Sequence, residues 1–189
     1  VVGFNGSGNS PLGLSLDTAR SKAGADGYLP RYGAVTVNVP GCVEAWWSAH
    51  QKYGKLPWKD VLLPVAELCE QGVPVPQVVA YYLERNMANF ERLSSTIEDN
   101  ENRKKVWLKN GRTPKTGEVF ANPDLGRTYR MIAEGGRDAF YNGVLADHME
   151  AYFKRIGGWM KRSDLAAHRT EWTQPLMTTY RGVEVYSLG

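Results

Sequence analysis

Cysteine is scarce in this chain, which has only Cys42 and Cys69 among its 189 residues. They lie too far apart for a CxxC pair, so the sequence offers neither a disulfide framework nor a cysteine zinc cluster. One disulfide between them and two buried free thiols are the alternatives that the sequence leaves open. Since each cysteine sits in an apolar run, the sequence favours buried free thiols.

Long apolar runs and one-sided charge are also missing. No stretch approaches the roughly 18 apolar residues that a membrane-spanning helix needs. The net charge is +3, with basic and acidic residues mixed along the chain, whereas nucleic-acid-binding proteins concentrate basic residues on one face. With 42% hydrophobic and 23% charged residues, the composition is that of a globular protein with no membrane or nucleic-acid partner.

Motifs for metal and nucleotide binding are absent as well. The histidines His50, His148 and His168 are widely separated and form no HExxH pair, so we predict no metal and no cofactor. In GSGNSPLG a proline takes the place of the third glycine of a GxGxxG loop, which indicates a turn. His148 lies on the apolar side of its predicted helix, and we expect it in the core.

The corner Pro40-Gly41 is the one place where a nucleophile suggests itself. Cys42 follows it, and a helix N-terminus can lower the pKa of a thiol. No GxSxG-like elbow surrounds Cys42, however, so we predict packing instead. Trp46 and Trp47 point roughly 100° apart on a helix, which predicts a deeply packed helix covered on two sides. We assign no catalytic, substrate-binding or metal-binding residue.

Apolar residues at three- and four-residue spacing predict a mostly helical chain. The predicted helices are Cys42–Tyr53 with a left-handed Gly54, a helix within Leu56–Gly72 with Pro64 in its first turn, Gln77–Leu93, and helices capped by Asn122, Asn142 and Ser163. The helix after Asn122 should end at Gly135-Gly136. The expected buried side of Gln77–Leu93 is Val78, Tyr81, Tyr82, Met87 and Phe90.

A few short strands are predicted from residues that alternate between apolar and polar. The candidates are Val1–Asn5, Ala34–Val39, Arg181–Ser187 and a hairpin over Val106–Phe120 around Asn110-Gly111. We interpret the polar run Ser94–Lys105 as a solvated loop or a frayed helix end. The expected fold class is α+β, mostly helical with a few short strands.

Several short motifs follow one another in a recognisable order. Residues 39–75 read VPGCVEAWWSAHQKYGKLPWKDVLLPVAELCEQGVPV, and AFYNG, GGWMKRSDL and YRG come later. This series resembles the VPG-then-helix, KYGxLP, AxxLAxxG, FYxG, GGx5DL and YRG motifs of the gamma-glutamyltransferase family. The resemblance covers Gly33 to Ser187 and rests on the motifs together. It places the chain in the central part of that family's large subunit.

The resemblance implies the αββα sandwich of N-terminal-nucleophile hydrolases, of which this chain is a mostly helical segment. In that family a precursor cleaves itself before a threonine, whose hydroxyl attacks gamma-glutamyl amides such as glutathione and forms an acyl-enzyme. That threonine run is missing here, because Thr178-Thr179 precedes Tyr180 and matches a different part of the family. We therefore expect residues 1–189 to be a single partial domain, inactive alone.

The resemblance also implies partners. These are the remainder of the precursor, namely the small subunit and the N-terminal part of the large subunit, and a small amide substrate.

The start of the chain resembles neither an initiator methionine nor a signal peptide, which favours a piece of a longer protein. The family favours a periplasmic or extracellular location. Strands Val1–Asn5 and Tyr180–Ser187 would lack sheet neighbours, which predicts self-association or a partly disordered end.

Two alternatives stay open. The stretch Arg31–Gly41 with Trp46-Trp47 looks closer to acylase- and amidohydrolase-like members than to those that use glutathione, so a paralogous acylase of the same fold is one alternative. A helical binding module without catalytic activity is the other.

Overall fold

The computed structural model describes residues 1–95 and 97–188. Most of them form helices joined by turns and short strands, which confirms the expected α+β class. The helices are α1 Leu16–Ser21, α2 Cys42–Tyr53, α3 Trp58–Gln71, α4 Gln77–Arg92, α5 Asn100–Trp107, α6 Pro123–Tyr141, α7 Val144–Arg155 and α8 Arg162–Ala167. The strands are β1 Gly3–Asn5, β2 Val73–Pro74, β3 Val119–Phe120, β4 Glu171–Thr173, β5 Leu176–Tyr180 and β6 Val183–Ser187. None of the described helices is long and apolar enough to span a bilayer.

Strand pairing is local. Within the described residues the strands form antiparallel ladders of two strands each, β1 with β4, β2 with β3 and β5 with β6. Phe4 faces Trp172 across the first ladder, and their rings lie 5.1 Å apart. The strands predicted over Val1–Asn5 and Arg181–Ser187 are confirmed in part, as β1 and β6. The expectation that these strands lack sheet neighbours is wrong, because β1 pairs with β4 and β6 pairs with β5.

The core lies where α3 packs along α6. Leu62 and Ile132 are 6% and 2% exposed there, and the indole of Trp58 donates a hydrogen bond of 2.9 Å to the Ile132 carbonyl. Gly126 allows the close approach, since a Cβ on it would lie 3.0 Å from the Ala66 carbonyl oxygen. The other buried side chains of this core are Val39, Val43, Ala133, Tyr141, Ala146, Phe153, Met160 and Leu165.

A kink interrupts α6 where the sequence predicted a helix end. Gly136 has φ 62° and ψ −155°, a conformation open to glycine, and the helix continues beyond it. A Cβ on Gly136 would lie 3.0 Å from the ring of Trp47. The kink thus brings the last turn of α6, with Arg137 and Tyr141, against α2.

The predicted helix caps are partly right. Asn122 caps α6 as predicted and accepts a hydrogen bond of 3.1 Å from the Leu125 N–H. The cap of α7 is Gly143 instead of Asn142, because the Asn142 amide donates to the Asp138 carboxylate at 2.7 Å.

The start of α8 also differs from the prediction. Lys161 is its cap instead of Ser163, and the buried Asp164 carboxylate accepts the Lys161 N–H at 2.8 Å. The other oxygen of Asp164 accepts the Leu12 N–H at 3.1 Å. This carboxylate therefore ties the N-terminal loop to α8.

The strand predicted over Ala34–Val39 is wrong. A turn of 3-10 helix occupies Ala34–Thr36. The Glu98 carboxylate accepts the Ala34 N–H at 3.2 and 3.1 Å, and the Asn9 carbonyl accepts the Val39 N–H at 2.9 Å. Because these partners take up backbone donors, the alternating residues form no ladder.

The bounds predicted for α2 are right, whereas α3 begins earlier than predicted. The helix starts at Trp58, so Pro64 lies inside it instead of in its first turn. Packing of Trp58 and Leu62 against α6 offsets the backbone hydrogen bond that a proline cannot donate. The left-handed conformation predicted for Gly54 is also wrong, since its φ is −64°.

Helix α4 forms where predicted but lacks the predicted buried side. Val78, Tyr81 and Tyr82 are 65%, 58% and 52% exposed, and only Met87 and Phe90 of the expected set are half-buried. Periodicity marked an apolar side that the described residues leave largely uncovered.

The polar run Ser94–Lys105 is more ordered than a solvated loop. It contains most of α5, and Asp99 caps that helix by accepting the Asn102 N–H at 3.2 Å. Asp99 also pairs with Arg155 of α7 at 2.9 Å. Thr96, within the same run, lies outside the described residues.

The turn at Asn110-Gly111 is confirmed, with φ of 54° and 75°. The predicted hairpin around it shrinks to one bridge between Lys109 and Arg112. The rest of the expected second strand pairs elsewhere, because Val75 exchanges backbone hydrogen bonds of 2.9 and 3.0 Å with residues 117 and 118.

Candidate functional site

Tyr141 fastens the Pro40-Gly41 corner to α6. Its side chain is fully buried, and its hydroxyl donates a hydrogen bond of 2.6 Å to the Pro40 carbonyl and accepts one of 3.1 Å from the Glu44 N–H. Burial raises the pKa of Tyr141 to about 12, so the phenol keeps its proton and donates it to the corner. The corner therefore has a structural role, as the sequence indicated.

Arg137 forms a buried ion pair with Glu44 of α2. Glu44 is 5% exposed, and its second carboxylate oxygen accepts a hydrogen bond of 3.2 Å from Ser48. The Arg137 guanidinium also donates to the His168 carbonyl at 2.8 Å and lies 4.8 Å from the centre of the Tyr141 ring. Each buried charge thus has partners. Without them, its desolvation would cost on the order of several kcal/mol.

His168 completes this group, which we call the corner cluster: Pro40, Gly41, Glu44, Arg137, Tyr141 and His168. The His168 side chain is 6% exposed, and its Nε2 has no hydrogen-bond partner of normal geometry among the described residues. A Cβ on Gly41 would lie 2.9 Å from that atom and 1.8 Å from the Gly6 carbonyl oxygen, so the corner requires glycine. Loss of solvent lowers the pKa of His168, which favours the neutral ring.

An open cleft of about 500 Å³ lies beside the ion pair, between α2 and the segment that leads into β4. Lys52 projects into it with its Nζ 4.0 Å from the centre of the Trp172 ring. Arg169 lies in the same cleft, and its Nη1 donates to the Ala166 and His168 carbonyls at 2.8 and 2.6 Å. The full lining is Glu44, Trp47, Ser48, Gln51, Lys52, Arg137, Arg169 and Trp172.

The corner cluster lacks the arrangement that nucleophilic catalysis needs. Both oxygens of Glu44 are occupied by Arg137 and Ser48. In residues 1–95 and 97–188, no serine, threonine or cysteine side chain is hydrogen-bonded to a histidine, as a nucleophile and its base would be. The same residues contain no group of three or more His, Cys, Asp or Glu side chains placed to hold a metal ion.

Only one of the three histidines enters the cluster. The prediction that His148 lies in the core is wrong, because α7 turns Ala146 and Phe153 inward and leaves His148 exposed. His50, near the end of α2, forms a hydrogen bond of 2.8 Å between its Nε2 and the Leu56 carbonyl.

Both cysteines are free, so the disulfide alternative is wrong. Cys69 is half-buried and Cys42 is exposed, so the prediction of two buried thiols fails at Cys42. The first turn of α2 points Val43 and Glu44 into the protein and leaves Cys42 outside.

The two adjacent tryptophans are covered unequally. Trp47 meets the Trp58 ring edge-on, with centroids 5.0 Å apart, and packs on Gly136. Trp46 is 40% exposed and stacks on Tyr129 at 6.3 Å. The deeply packed helix predicted from this pair is therefore wrong on the side of Trp46.

Sequence reasoning missed Glu44, Arg137 and Tyr141. One usable signal was a lone carboxylate in the otherwise apolar start of α2. Another was the four-residue spacing of Arg137 and Tyr141, which places both on one side of a helix. Their contacts with Glu44 join positions 93 and 97 residues apart, and local patterns carry no information about such contacts.

The fold is that of N-terminal-nucleophile hydrolases, of which this chain forms a mostly helical segment. It resembles cephalosporin acylase from Bacillus halodurans, with 35% identity and a TM-score of 0.86 over 98% of this chain and 34% of that one. It also resembles gamma-glutamyltranspeptidase from Pseudomonas nitroreducens complexed with L-DON, with 25% identity and a TM-score of 0.84 over 100% of this chain and 53% of that one.

The family follows from the sequence match. Residues 1–189 match the family model described as gamma-glutamyltranspeptidase, and the chain belongs to that family, whose members are processed autocatalytically. It is 33% identical over 184 residues to the glutathione hydrolase-like YwrD proenzyme of Bacillus subtilis (strain 168), a match that covers 97% of this chain and 33% of that protein. The chain thus spans about a third of the length of this relative, and the predicted family resemblance is confirmed.

Proposed function

We propose that this chain is the central part of the large subunit of an enzyme that hydrolyses amides or transfers their acyl groups. The proposed substrates are gamma-glutamyl compounds such as glutathione. The observation that supports this is the family match over residues 1–189. The remainder of the precursor is the proposed partner, since the chain spans only 33% of the length of the proenzyme relative.

In this proposal the nucleophile is the N-terminal threonine of another segment of the precursor. Its hydroxyl attacks the amide carbonyl while its own amine accepts the proton. The tetrahedral intermediate then expels the amine, and water or an acceptor amine cleaves the resulting ester. Backbone N–H groups that stabilise the oxyanion also belong to other segments. Residues 1–189 act as a scaffold, in which the corner cluster fixes the start of α2 against α6.

Anilide substrates test the proposal. We expect no aniline release from gamma-glutamyl-anilide by the 189-residue chain, and release by the full-length product of its gene. Replacing the threonine that follows the self-cleavage point by alanine should abolish release in the full-length protein. Turnover by the 189-residue chain alone would contradict the proposal.

A second candidate is an acylase of the same fold. The 35% identity and the TM-score of 0.86 with cephalosporin acylase favour it. Glutaryl-anilide, which lacks the amino group of the gamma-glutamyl donor, separates the two functions. A full-length protein that cleaves glutaryl-anilide faster than gamma-glutamyl-anilide is an acylase.

A further inference from the structure

We propose that the cleft between α2 and β4 binds the carboxylate group of a small molecule with an apolar ring. The cleft contains the cations Lys52 and Arg169, and indole rings from Trp47 and Trp172 form part of its wall. The inference concerns this cleft alone and does not rest on the proposed amide hydrolysis.

Two of the cations in the cleft lack an acidic partner. In the part of the chain that the structure describes, no carboxylate oxygen lies within 4.0 Å of Lys52 or Arg169. The third cation, Arg137, is already neutralised by Glu44. The lining therefore has an excess of positive charge, and an anion that enters the cleft neutralises it.

The unpaired cations are held in place. The Lys52 ammonium lies 4.0 Å from the centre of the Trp172 ring, a cation–π distance. Arg169 uses Nη1 to bind the carbonyls of Ala166 and His168, so its remaining N–H groups stay available. A guanidinium held in this way presents a planar fork, which suits the two oxygens of a carboxylate.

The indoles indicate what the carboxylate is attached to. Trp172 is 39% exposed, and Trp47, which also lines the cleft, is half-buried. Because Lys52 and Phe4 already contact the Trp172 ring, a ligand ring packs on the part of these indoles that stays exposed. The volume of about 500 Å³ lies within the roughly 300–1,000 Å³ of small-molecule sites, so a benzoate-sized ligand fits.

Indole N–H signals in nitrogen-15 NMR spectra provide the test, with benzoate as the probe. On titration of the 189-residue chain, we expect the signals of Trp47 and Trp172 to shift and saturate. The Trp107 signal should stay unchanged, because Trp107 stacks on Phe120 and lies outside the cleft lining. Benzamide, which has the same shape without the charge, should cause shifts at least about threefold smaller at equal concentration.

Variants locate the carboxylate. We expect the dissociation constant of benzoate to rise about threefold in Lys52→Gln and in Arg169→Gln, and about tenfold in the double variant, as for exposed ion pairs. Lys59→Gln, an exposed lysine on α3 outside the lining, is the matched control and should leave the constant unchanged. Equal shifts with benzamide, or equal affinity in the double variant, overturn the proposal.

The carboxylate can belong to a free molecule or to an acidic side chain from a part of the protein outside these 189 residues. Benzoate binding that persists in the full-length gene product identifies the free molecule. Binding seen only in the 189-residue chain, together with a lower melting temperature of the full-length double variant, identifies an acidic side chain of the protein as the occupant and contradicts the proposal of a free small molecule. Binding lost in the full-length protein without such a change contradicts the proposal, as does absence of binding in both forms.

Discussion

The corner cluster and the β5–β6 hairpin treat their side chains in opposite ways. In the cluster, Glu44 and Tyr141 are 5% and 0% exposed, and their polar groups have partners within the chain. In the hairpin, Leu176 and Val183 are both 64% exposed, and all residues of both strands are exposed. Apart from His168 Nε2, the polar groups named in the cluster thus have partners among the described residues. The described residues leave the apolar side chains of the hairpin exposed.

This difference determines where substitutions should matter. Removing one partner of a buried charge or hydrogen bond leaves the other partner desolvated and unpaired. Removing an exposed apolar side chain changes little in the folded chain. Four substitutions test this contrast, and the effect expected on the free energy of unfolding decreases from the first to the last.

Arg137→Ala should have the largest effect. It leaves the buried Glu44 carboxylate without its cation, and breaking a buried pair in this way costs about 3–5 kcal/mol. Urea unfolding followed by tryptophan fluorescence measures the loss. Arg127→Ala is the matched control on the same helix, because Arg127 pairs with Asp124 at an exposed site. Arg127→Ala should cost less than about 1 kcal/mol. Equal losses in both variants would show that the buried pair stabilises the fold no more than an exposed pair does.

Tyr141→Phe should have the next largest effect. It removes only the hydroxyl, so the Pro40 carbonyl and the Glu44 N–H lose their partner at the corner. We expect a loss of about 1–3 kcal/mol in the free energy of unfolding. Tyr180→Phe in the hairpin, where the ring is 65% exposed, makes the same chemical change and should alter it by less than about 0.5 kcal/mol. If Tyr141→Phe leaves the free energy of unfolding unchanged, water replaces the hydroxyl in the variant.

His168 should make the stability depend on pH. In the unfolded chain its pKa is about 6.5, and burial lowers that pKa in the folded chain. Above pH ~6.5 both states are neutral, whereas at lower pH the unfolded chain takes up the proton first. The free energy of unfolding therefore falls as the pH drops below ~6.5 towards the lowered pKa.

His168→Gln removes this titration, so the variant should lose less stability than the wild type between pH ~7.5 and ~5.5. Urea unfolding at the two pH values measures the difference. The readout is the change with pH, which separates the titration from any loss that the variant shows at both values. Identical changes in the two proteins would exclude His168 as the group responsible.

The sequence predicted features that depend on neighbouring residues. The bounds of α2, the Asn122 cap and the Asn110-Gly111 turn are examples, because a cap or a turn is determined within about four residues. Motif order along the chain also identified the family, which gave the N-terminal-nucleophile hydrolase fold that local patterns alone could not give.

Features that depend on distant contacts could not be predicted. The strand expected over Ala34–Val39 fails because Glu98 binds the Ala34 N–H, and the buried side expected for α4 fails because nothing described covers it. The corner cluster was missed for the same reason, since Arg137 and Glu44 meet only after α6 packs against α2. Periodicity shows which side of an element is apolar, but what covers that side is decided by tertiary packing.

Val183→Lys should have the smallest effect on stability and a clear effect on association. Val183 lies opposite Tyr180, and Val185 lies opposite Thr178, so these side chains share one side of the hairpin with Leu176. An exposed apolar side of this kind promotes contact between copies. We therefore expect the 189-residue chain to self-associate, with a light-scattering mass that increases with concentration.

In Val183→Lys that increase should be reduced, while the free energy of unfolding changes by less than about 0.5 kcal/mol. Thr179→Lys is the matched control, because Thr179 lies opposite Glu184 on the other side of the same hairpin and the variant adds the same charge. If the two lysine variants reduce association equally, net charge is the cause and the apolar side is not. If only Val183→Lys reduces it, the apolar side of the hairpin is the surface through which copies of the chain associate, in contrast to the corner cluster, where Glu44 and Tyr141 are buried.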